Sequence, residues 1–423
     1  MTIVNKVCSM RSRIRLPSAI WPLADQGVVS LGGFVVNLAL ARTLAPREYG
    51  LYSLLFLAML QLQVITGSLL FYPLSVRGTV LDANERAELF GTGLMLLLAL
   101  CIPLDIALAI TLHVLGRAEL IVPATTWLVL WQVQELLRRC LFAEMRHAGA
   151  IPGDTVRYLG QGVALLAVAA TGWLTLTSAL TVMAAASGVG IALQAFQVSI
   201  SFNHLAVWRR TARQCWRIGA NSLGSNLLSA LSLQMFPWAL AALGGTIAAA
   251  NFQASLNVIM MTNPVLIGLC NIIPQVVARD QRRGGAALAW RASRGHMLLG
   301  AIPVFGYYAL ISAWPDTVLA TLYGHASPYL ALSMPARAMA AAAMIGFGVE
   351  MVNAYVHGLE KARLSMKINA VGLAISALVG LPLTVALGLN GSCVAIVVAN
   401  IARSVVAYKV LARVLADARH RYA

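Results

Sequence analysis

The sequence predicts an all-α integral membrane protein of about twelve transmembrane helices, grouped six and six. Three observations lead there. Hydrophobic residues make up 59% of the 423 positions, charged residues only 11%, and the mean hydropathy is +0.78. That composition excludes an ordinary soluble domain. Apolar runs of the ~20 residues that a spanning helix needs recur along the whole chain with short breaks, leaving no room for a soluble domain of any size. The basic residues alternate with these runs in the way expected of loops that collect Lys and Arg on one side of a membrane.

The helices are read at 18–42, 49–76, 90–115, 120–143, 154–173, 177–202, 217–242, 246–277, 296–313, 335–358, 365–387 and 391–412. In the first, Gln26, Ser30, Gly33 and Asn37 step by four, three and four, so they share one helical face while Val28, Val29, Phe34, Val35 and Leu38 cover the others. Such a stripe faces protein or water rather than lipid. In the third, Asp105 beside Pro103 reads as the cap of a break. The fourth holds Glu135, with Arg138 and Arg139 at i+3 and i+4 for an intrahelical ion pair. The fifth sets Asp154, Arg157 and Gln161 on one face. The longest polar break in the middle, NHLAVWRRTARQCWR (203–217), then separates a first lobe, 18–202, from a second, 218–412. A basic start, 1–17, and a basic tail, 413–423, flank them. Helix seven opens the second lobe with Ser222, Ser225, Ser229 and Ser232, at the spacing of the first stripe. Helix ten carries Glu350, which has no basic residue within four positions, and continues along Asn353, His357 and Glu360 toward the cytoplasmic mouth.

With the N-terminus inside, this order places Arg42, Arg47, Arg117 and Arg337 outside and the other 27 of the 31 Lys and Arg residues on the cytoplasmic side. The net charge of +16 is then mostly topology, and it calls for no nucleic-acid partner. The first apolar stretch is too long for a signal-peptide core and contains Asp25 and Gln26, so it is expected to remain as a helix. The six cysteines fall one at a time in separate segments, which predicts no metal site and no disulfide framework. No cofactor motif stands out; the glycines of GGTIAAAN (244–251) read as small packing residues inside spans.

The two halves repeat weakly. An offset of 199, set by Leu44 and Leu243, puts Ser225 on Gln26, Ser229 on Ser30 and Ser232 on Gly33. An offset of 215 puts Glu350 on Glu135, Gly358 on Ala143 and Lys361 on Arg146. Two intramembrane acids at one repeat position point beyond packing, because transporters built of structural repeats hold their sites at the repeat interface.

LADQGVVSLGGFVVNLALARTLAPREYGLY (23–52) resembles the first helix and first outer loop of the polysaccharide-biosynthesis flippases, the O-antigen type translocases of lipid-linked oligosaccharides. LRRCLFAEMRHAGAIPGDTVRYLG (137–160) is similar to the end of helix four and the start of helix five in that family. Ala45 stands where the family usually has Gly, and helix seven lacks an acidic residue near its outer end. The resemblance implies a fold similar to the multidrug and toxin extrusion transporters, with two six-helix lobes around a central cavity. It also implies an undecaprenyl-pyrophosphate-linked oligosaccharide as cargo, moved between leaflets of a bacterial plasma membrane for surface polysaccharide synthesis, with membrane lipids and polysaccharide polymerase machinery as partners.

A sugar head group needs a polar route, since its hydroxyls would go unpaired in hydrocarbon. Asp25, Gln26, Ser30, Asn37, Arg42, Arg157, Gln161, Ser225, Ser229 and Ser232 are the candidates to line it. Glu350, Glu135 and Asp25 are the candidates for coupling to H+ or Na+, because an acid inside a span is costly enough to need a reason. Two alternatives stay open: a multidrug or cation exporter of the same fold, and a membrane-embedded polysaccharide polymerase. The second is disfavoured by the shortness of the outer loops, the longest of which (314–334) holds only Asp316 and His325 as obvious chemistry.

Overall fold

A computed structural model describes residues 20–79, 81–202 and 208–420, and every regular element in it is helical. The basic start, 1–17, lies outside the described residues. The first half consists of α1 (Ile20–Thr43), α2 (Pro46–Gly78), α3 (Ala83–Val114), α4 (Ala118–Ala143), α5 (147–170) and α6 (Leu176–Ala195). The second consists of α7 (208–244), α8 (246–284, interrupted at 261–262), α9 (Gly285–Ala313), α10 (Pro328–Gly358), α11 (362–387) and α12 (389–420). The boundaries within the long helical stretches of the second half are set by Gly245, Gly285 and Gly388, whose φ values of +69°, +75° and +56° turn the chain in a region that side chains rarely enter. Nine helices among the described residues are long and apolar enough to cross a membrane; one of them, Arg363–Asp417, contains the Gly388 bend and so comprises α11 and α12 together.

The helices exceed their predicted bounds mostly at the ends that the sequence reading assigns to the cytoplasm. α5 begins at His147 rather than 154, and α7 begins at Trp208, inside the segment read as a linker, of which 203–207 lies outside the described residues. α12 continues to His420 through the segment read as a tail. The extensions of α7 and α12 carry Arg209, Arg210, Arg213 and Arg413, which hydropathy rejects but which a helix accommodates at an interface by extending the charged ends into water. The long outer loop also gains structure, a short helix Pro315–Tyr323 and a 3-10 turn Pro328–Leu332.

The seam between the halves runs along α2, which packs against α7 and the start of α8. It is tight enough to require glycine: a Cβ at Gly50 would collide with the carbonyl of Thr246, and one at Gly219 with that of Ser68. Small residues permit such backbone approach in membrane bundles. Asn257 on α8 donates to the Tyr49 hydroxyl on α2 at 2.7 Å, closing that seam near Gly50.

The backbone repeats where the 215 offset predicts. Met145 and Glu360 both take positive φ, +56° and +59°, between α4 and α5 and between α10 and α11. Arg146 N–H donates to Leu141 O and Lys361 N–H to Val356 O, at 2.9 and 3.1 Å, and Arg146 and Lys361 each begin the next helix with nearly the same dihedrals. The two acids Glu135 and Glu350 are thus carried into equivalent places by the same turn.

Candidate functional site

Two charged clusters occupy these equivalent places. In the first half, Arg138 on α4 reaches Asp25 on α1 (2.5 Å), Asp154 on α5 (2.8 Å) and Glu135 one turn back (3.3 Å). Glu135 also accepts from Arg139 at 2.8 Å and faces Arg157 at 3.8 Å. Three carboxylates therefore meet three guanidinium groups. Gln134 ties the cluster to α6: it donates to Asp154 at 2.6 Å and to Gln194 at 3.2 Å, and its oxygen accepts from Arg157. Arg157 is further covered by the rings of Trp131 and Tyr158. Asp25, Glu135, Arg138, Asp154 and Arg157 are all buried, none more than 6% exposed.

In the second half, Glu350 on α10 accepts from Arg403 on α12 at 2.7 Å. The same Nη2 donates to Asn369 on α11 at 2.8 Å, while Nη1 donates to Asn400 at 3.0 Å. Asn353 donates to the other Glu350 oxygen at 3.4 Å and accepts from Ser365. This cluster is open. Glu350 is 35% and Arg403 20% exposed, and two adjoining cavities share Glu350, Asn400 and Arg403 in their walls. One, of about 410 Å³, lies within the second half between α7, α8, α10, α11 and α12. The other, of about 340 Å³, extends to Phe56, Leu57 and Leu60 on α2 and so reaches the first half. Gly372 makes room for the arginine: a Cβ there would stand 2.7 Å from Arg403 Cδ.

The other sequence candidates are dispersed. Gln26 and Ser30 are half-buried and lie 3.5 Å apart on α1, and Asn37 is buried with its amide on Gly33 O of its own helix (2.9 Å). None of these three lines the two cavities beside Glu350. Gln161 is buried on α5. Arg42 is exposed at the end of α1, where it donates to Thr321 O at 2.6 Å and to Leu322 O. Ser232 lines the larger cavity; the side chains of Ser225 and Ser229 lie outside the described residues. Asp105 does not cap a break, since α3 continues through Pro103, and its Oδ1 is buried without a hydrogen-bond partner.

Arg403 was missed by sequence reading, which counted it with the cytoplasmic charges. Its position inside a predicted span, 391–412, was the available signal, because an intramembrane arginine requires a partner. Glu350 does have a basic partner, 53 residues away on another helix. Gln134 and Gln194 were missed for the same reason, being amides whose partners are distant in sequence. Among the described residues, no group of three or more His, Cys, Asp or Glu side chains is placed to hold a metal ion.

Among the described residues, twelve long helices in two repeated halves, with open and mostly apolar-walled cavities that hold Glu350, Asn400 and Arg403 in common, make a fold of the membrane-transporter kind. The chain is similar to an inward-facing multidrug resistance MATE family transporter of the MOP superfamily, with a TM-score of 0.72 and 15% identity over 98% of this chain and 99% of that one. It is similar also to a MOP superfamily transporter from Pyrococcus furiosus Vc1 whose binding pocket is described as reversed in polarity (TM-score 0.66, 14% identity, 95% of each chain). An outward-facing MATE family transporter matches with a TM-score of 0.65 and 15% identity over 94% of each chain. No protein-family model and no curated protein matches the sequence. At these identities the likeness is one of fold.

Proposed function

We propose that the chain translocates a lipid-linked oligosaccharide by alternating access, from the inner to the outer leaflet of a bacterial plasma membrane, with both termini in the cytoplasm. The observation that carries this reading is the charge balance of the two clusters. An exporter of organic cations needs a carboxylate left free at its cavity wall to attract its cargo, and Asp105 lines neither cavity beside Glu350. Here Asp25, Glu135 and Asp154 are matched by Arg138, Arg139 and Arg157, and the cavity acid Glu350 is matched by Arg403. Among the polar groups facing the larger cavity are Arg403 with its paired Glu350, Asn369 and Asn400, and an arginine with amides suits sugar hydroxyls and phosphate oxygens. The Pyrococcus neighbour, described as having a pocket of reversed polarity and a suggested different function, supports the view that this fold is not restricted to multidrug cargo.

The outer end is closed by Arg42 on Thr321 and Leu322, by Tyr49 with Asn257, and by Tyr323 on Ala254 O at 2.7 Å. That closure fits a state that receives cargo from the cytoplasmic side. Coupling to H+ or Na+ belongs to Glu350, the partly exposed acid, more readily than to Asp25 or Glu135, which are enclosed with arginines. Gln26, Ser30, Asn37, Ser225, Ser229 and Ser232 are assigned to the central route in states in which the halves separate.

The test is the leaflet distribution of lipid-linked intermediates in a strain lacking the protein. They are expected to accumulate on the cytoplasmic leaflet while surface polysaccharide falls. An unchanged distribution together with lost efflux of cationic dyes would select the multidrug reading instead.

A further inference from the structure

We propose that Arg403 is the anion receptor of the second-half cavity, and that Glu350 is its resident counter-ion, displaced when a phosphate-bearing head group binds. This rests on the flippase reading for the source of the phosphate, but the site itself is argued from geometry.

Three features set this ion pair apart from a structural one. First, it is held by a single carboxylate oxygen: Glu350 Oε1 accepts from Arg403 Nη2 at 2.7 Å, and no second arm of the guanidinium fork engages the acid. Arg117 and Glu48 at the outer surface show the alternative, with two parallel bonds of 2.9 and 2.8 Å. A phosphate can take the guanidinium in two-point contact, through the Nη2 hydrogen that Glu350 would vacate and the second Nη1 hydrogen, which Asn400 does not use. Second, the pair is partly exposed and forms a shared wall of two cavities, of about 410 and 340 Å³, so a ligand can approach the guanidinium without first unpacking a core. Third, Arg403 is positioned independently of Glu350. Asn369 and Asn400 accept from its two terminal nitrogens at 2.8 and 3.0 Å, and Asn400 is itself fixed by donating to Ala342 O at 2.9 Å. The guanidinium would keep its place when the carboxylate leaves.

Displacement also gives the acid a use. In the unloaded protein the arginine neutralises Glu350, so the empty cavity carries no net charge at this point. Once phosphate occupies the guanidinium, the carboxylate is uncompensated beside an anion and is driven to take up a cation or move away. Cargo binding is thereby linked to a change at Glu350 with no added group.

The experiment uses the full chain purified in nanodiscs of zwitterionic lipid, with inorganic pyrophosphate as the probe, titrated calorimetrically. The wild-type protein is expected to bind pyrophosphate, Glu350→Gln to bind it more tightly because the competitor for the guanidinium is gone, and Arg403→Gln to lose about tenfold or more. Arg403→Lys, which keeps charge without the fork, should fall between. Arg117→Gln, an arginine paired with Glu48 away from both cavities, should bind as wild type does. Ligand-free melting of each variant separates a lost site from a lost fold, and in a variant that melts early the Glu350→Gln gain of affinity still decides. Weaker binding in Glu350→Gln, or wild-type binding in Arg403→Gln, would overturn the assignment. Nanodiscs containing phosphatidylglycerol distinguish the source: pyrophosphate binding is expected to persist in them, and its complete suppression would assign the site to bulk anionic lipid and refute a cargo role. Because this readout is binding to purified protein, it can succeed while the leaflet assay fails, and the reverse.

Discussion

Glu135 and Glu350 are placed by the same turn at the ends of α4 and α10, yet one is 3% exposed among three arginines and the other is 35% exposed beside one. The 215 offset shows where they diverge. Arg138, Asp154 and Arg157 in the first half stand opposite Asn353, Asn369 and Gly372 in the second. The first half fills the space with charge and seals it. The second removes the charges, opens a cavity with Gly372, and brings a single arginine in from α12. The lesson is that an intramembrane acid is not a site by virtue of being acidic. Enclosed and fully matched, it joins helices; half-matched at a cavity wall, it can exchange partners.

The largest expected effect breaks the sealed cluster. Arg138→Leu leaves Asp25, Asp154 and Glu135 around an apolar side chain, and removal of one member of a buried ion pair typically costs about 3–5 kcal/mol. Little folded protein should be recovered, and what is recovered should melt early by fluorescence-detected size exclusion. A variant that melts like wild type and loses only transport would move the active site to the first half and reverse the comparison.

Next comes the same substitution made at the two equivalent positions. Glu135→Gln leaves the buried Arg157 and the partly exposed Arg139 without their carboxylate and should lower the melting temperature clearly. Glu350→Gln, at an open cavity wall, should change it little, an exposed or half-exposed pair being worth about 0–1 kcal/mol. In transport the order inverts: Glu350→Gln should abolish dependence on a proton or sodium gradient while protein levels hold. Full-rate, still ion-dependent transport by that variant would remove Glu350 from the mechanism.

A smaller effect is expected at the outer closure. Arg42 joins α1 of the first half to the 321–322 carbonyls of the second by two hydrogen bonds from a charged group. Such bonds contribute about 1.5–3 kcal/mol each when buried and less in this exposed place. Arg42→Ala should therefore shift, without unfolding, the balance toward outward-open states. Faster modification of a cysteine placed at Tyr49 or Ala254 by an impermeant reagent would register the shift; unchanged rates would show that the tyrosine contacts suffice.

How far the sequence discloses this follows from the range of the interactions. Helix number and order are set by apolar length, a local property, and the repeat at Glu135 and Glu350 is visible because the turn after each acid is encoded within a few residues. The intrahelical pair of Glu135 with Arg138 and Arg139 is equally local, and both bonds form. The rest of each cluster is not. Asp25 meets Arg138 across 113 residues and Glu350 meets Arg403 across 53, through helix packing that periodicity does not specify. A polar stripe likewise announces that a face avoids lipid without saying whether it meets protein or a cavity.

The smallest expected effects concern that stripe and sharpen the comparison from the other side. Asn37 donates to Gly33 O of its own helix, an oxygen already used by the helical ladder, and its Oδ1 is buried with no partner. Gln26 and Ser30 meet only at 3.5 Å, at the limit of a hydrogen bond. Replacing Gln26 or Asn37 by Leu thus removes little that stabilises this state, and Leu is more favourable than an amide in the membrane. Expression and melting temperature should stay at or above wild type. If the stripe serves the cargo route when the halves part, transport should nevertheless fall severalfold, and Asn37, whose unpaired oxygen has most to gain from a sugar hydroxyl, should be affected more than Gln26. Wild-type transport in both variants, alongside raised stability, would mark the stripe as packing against the neighbouring helices, among them α5, whose Tyr158 a Cβ on Gly32 would strike, and would leave the second-half cavity as the sole polar route.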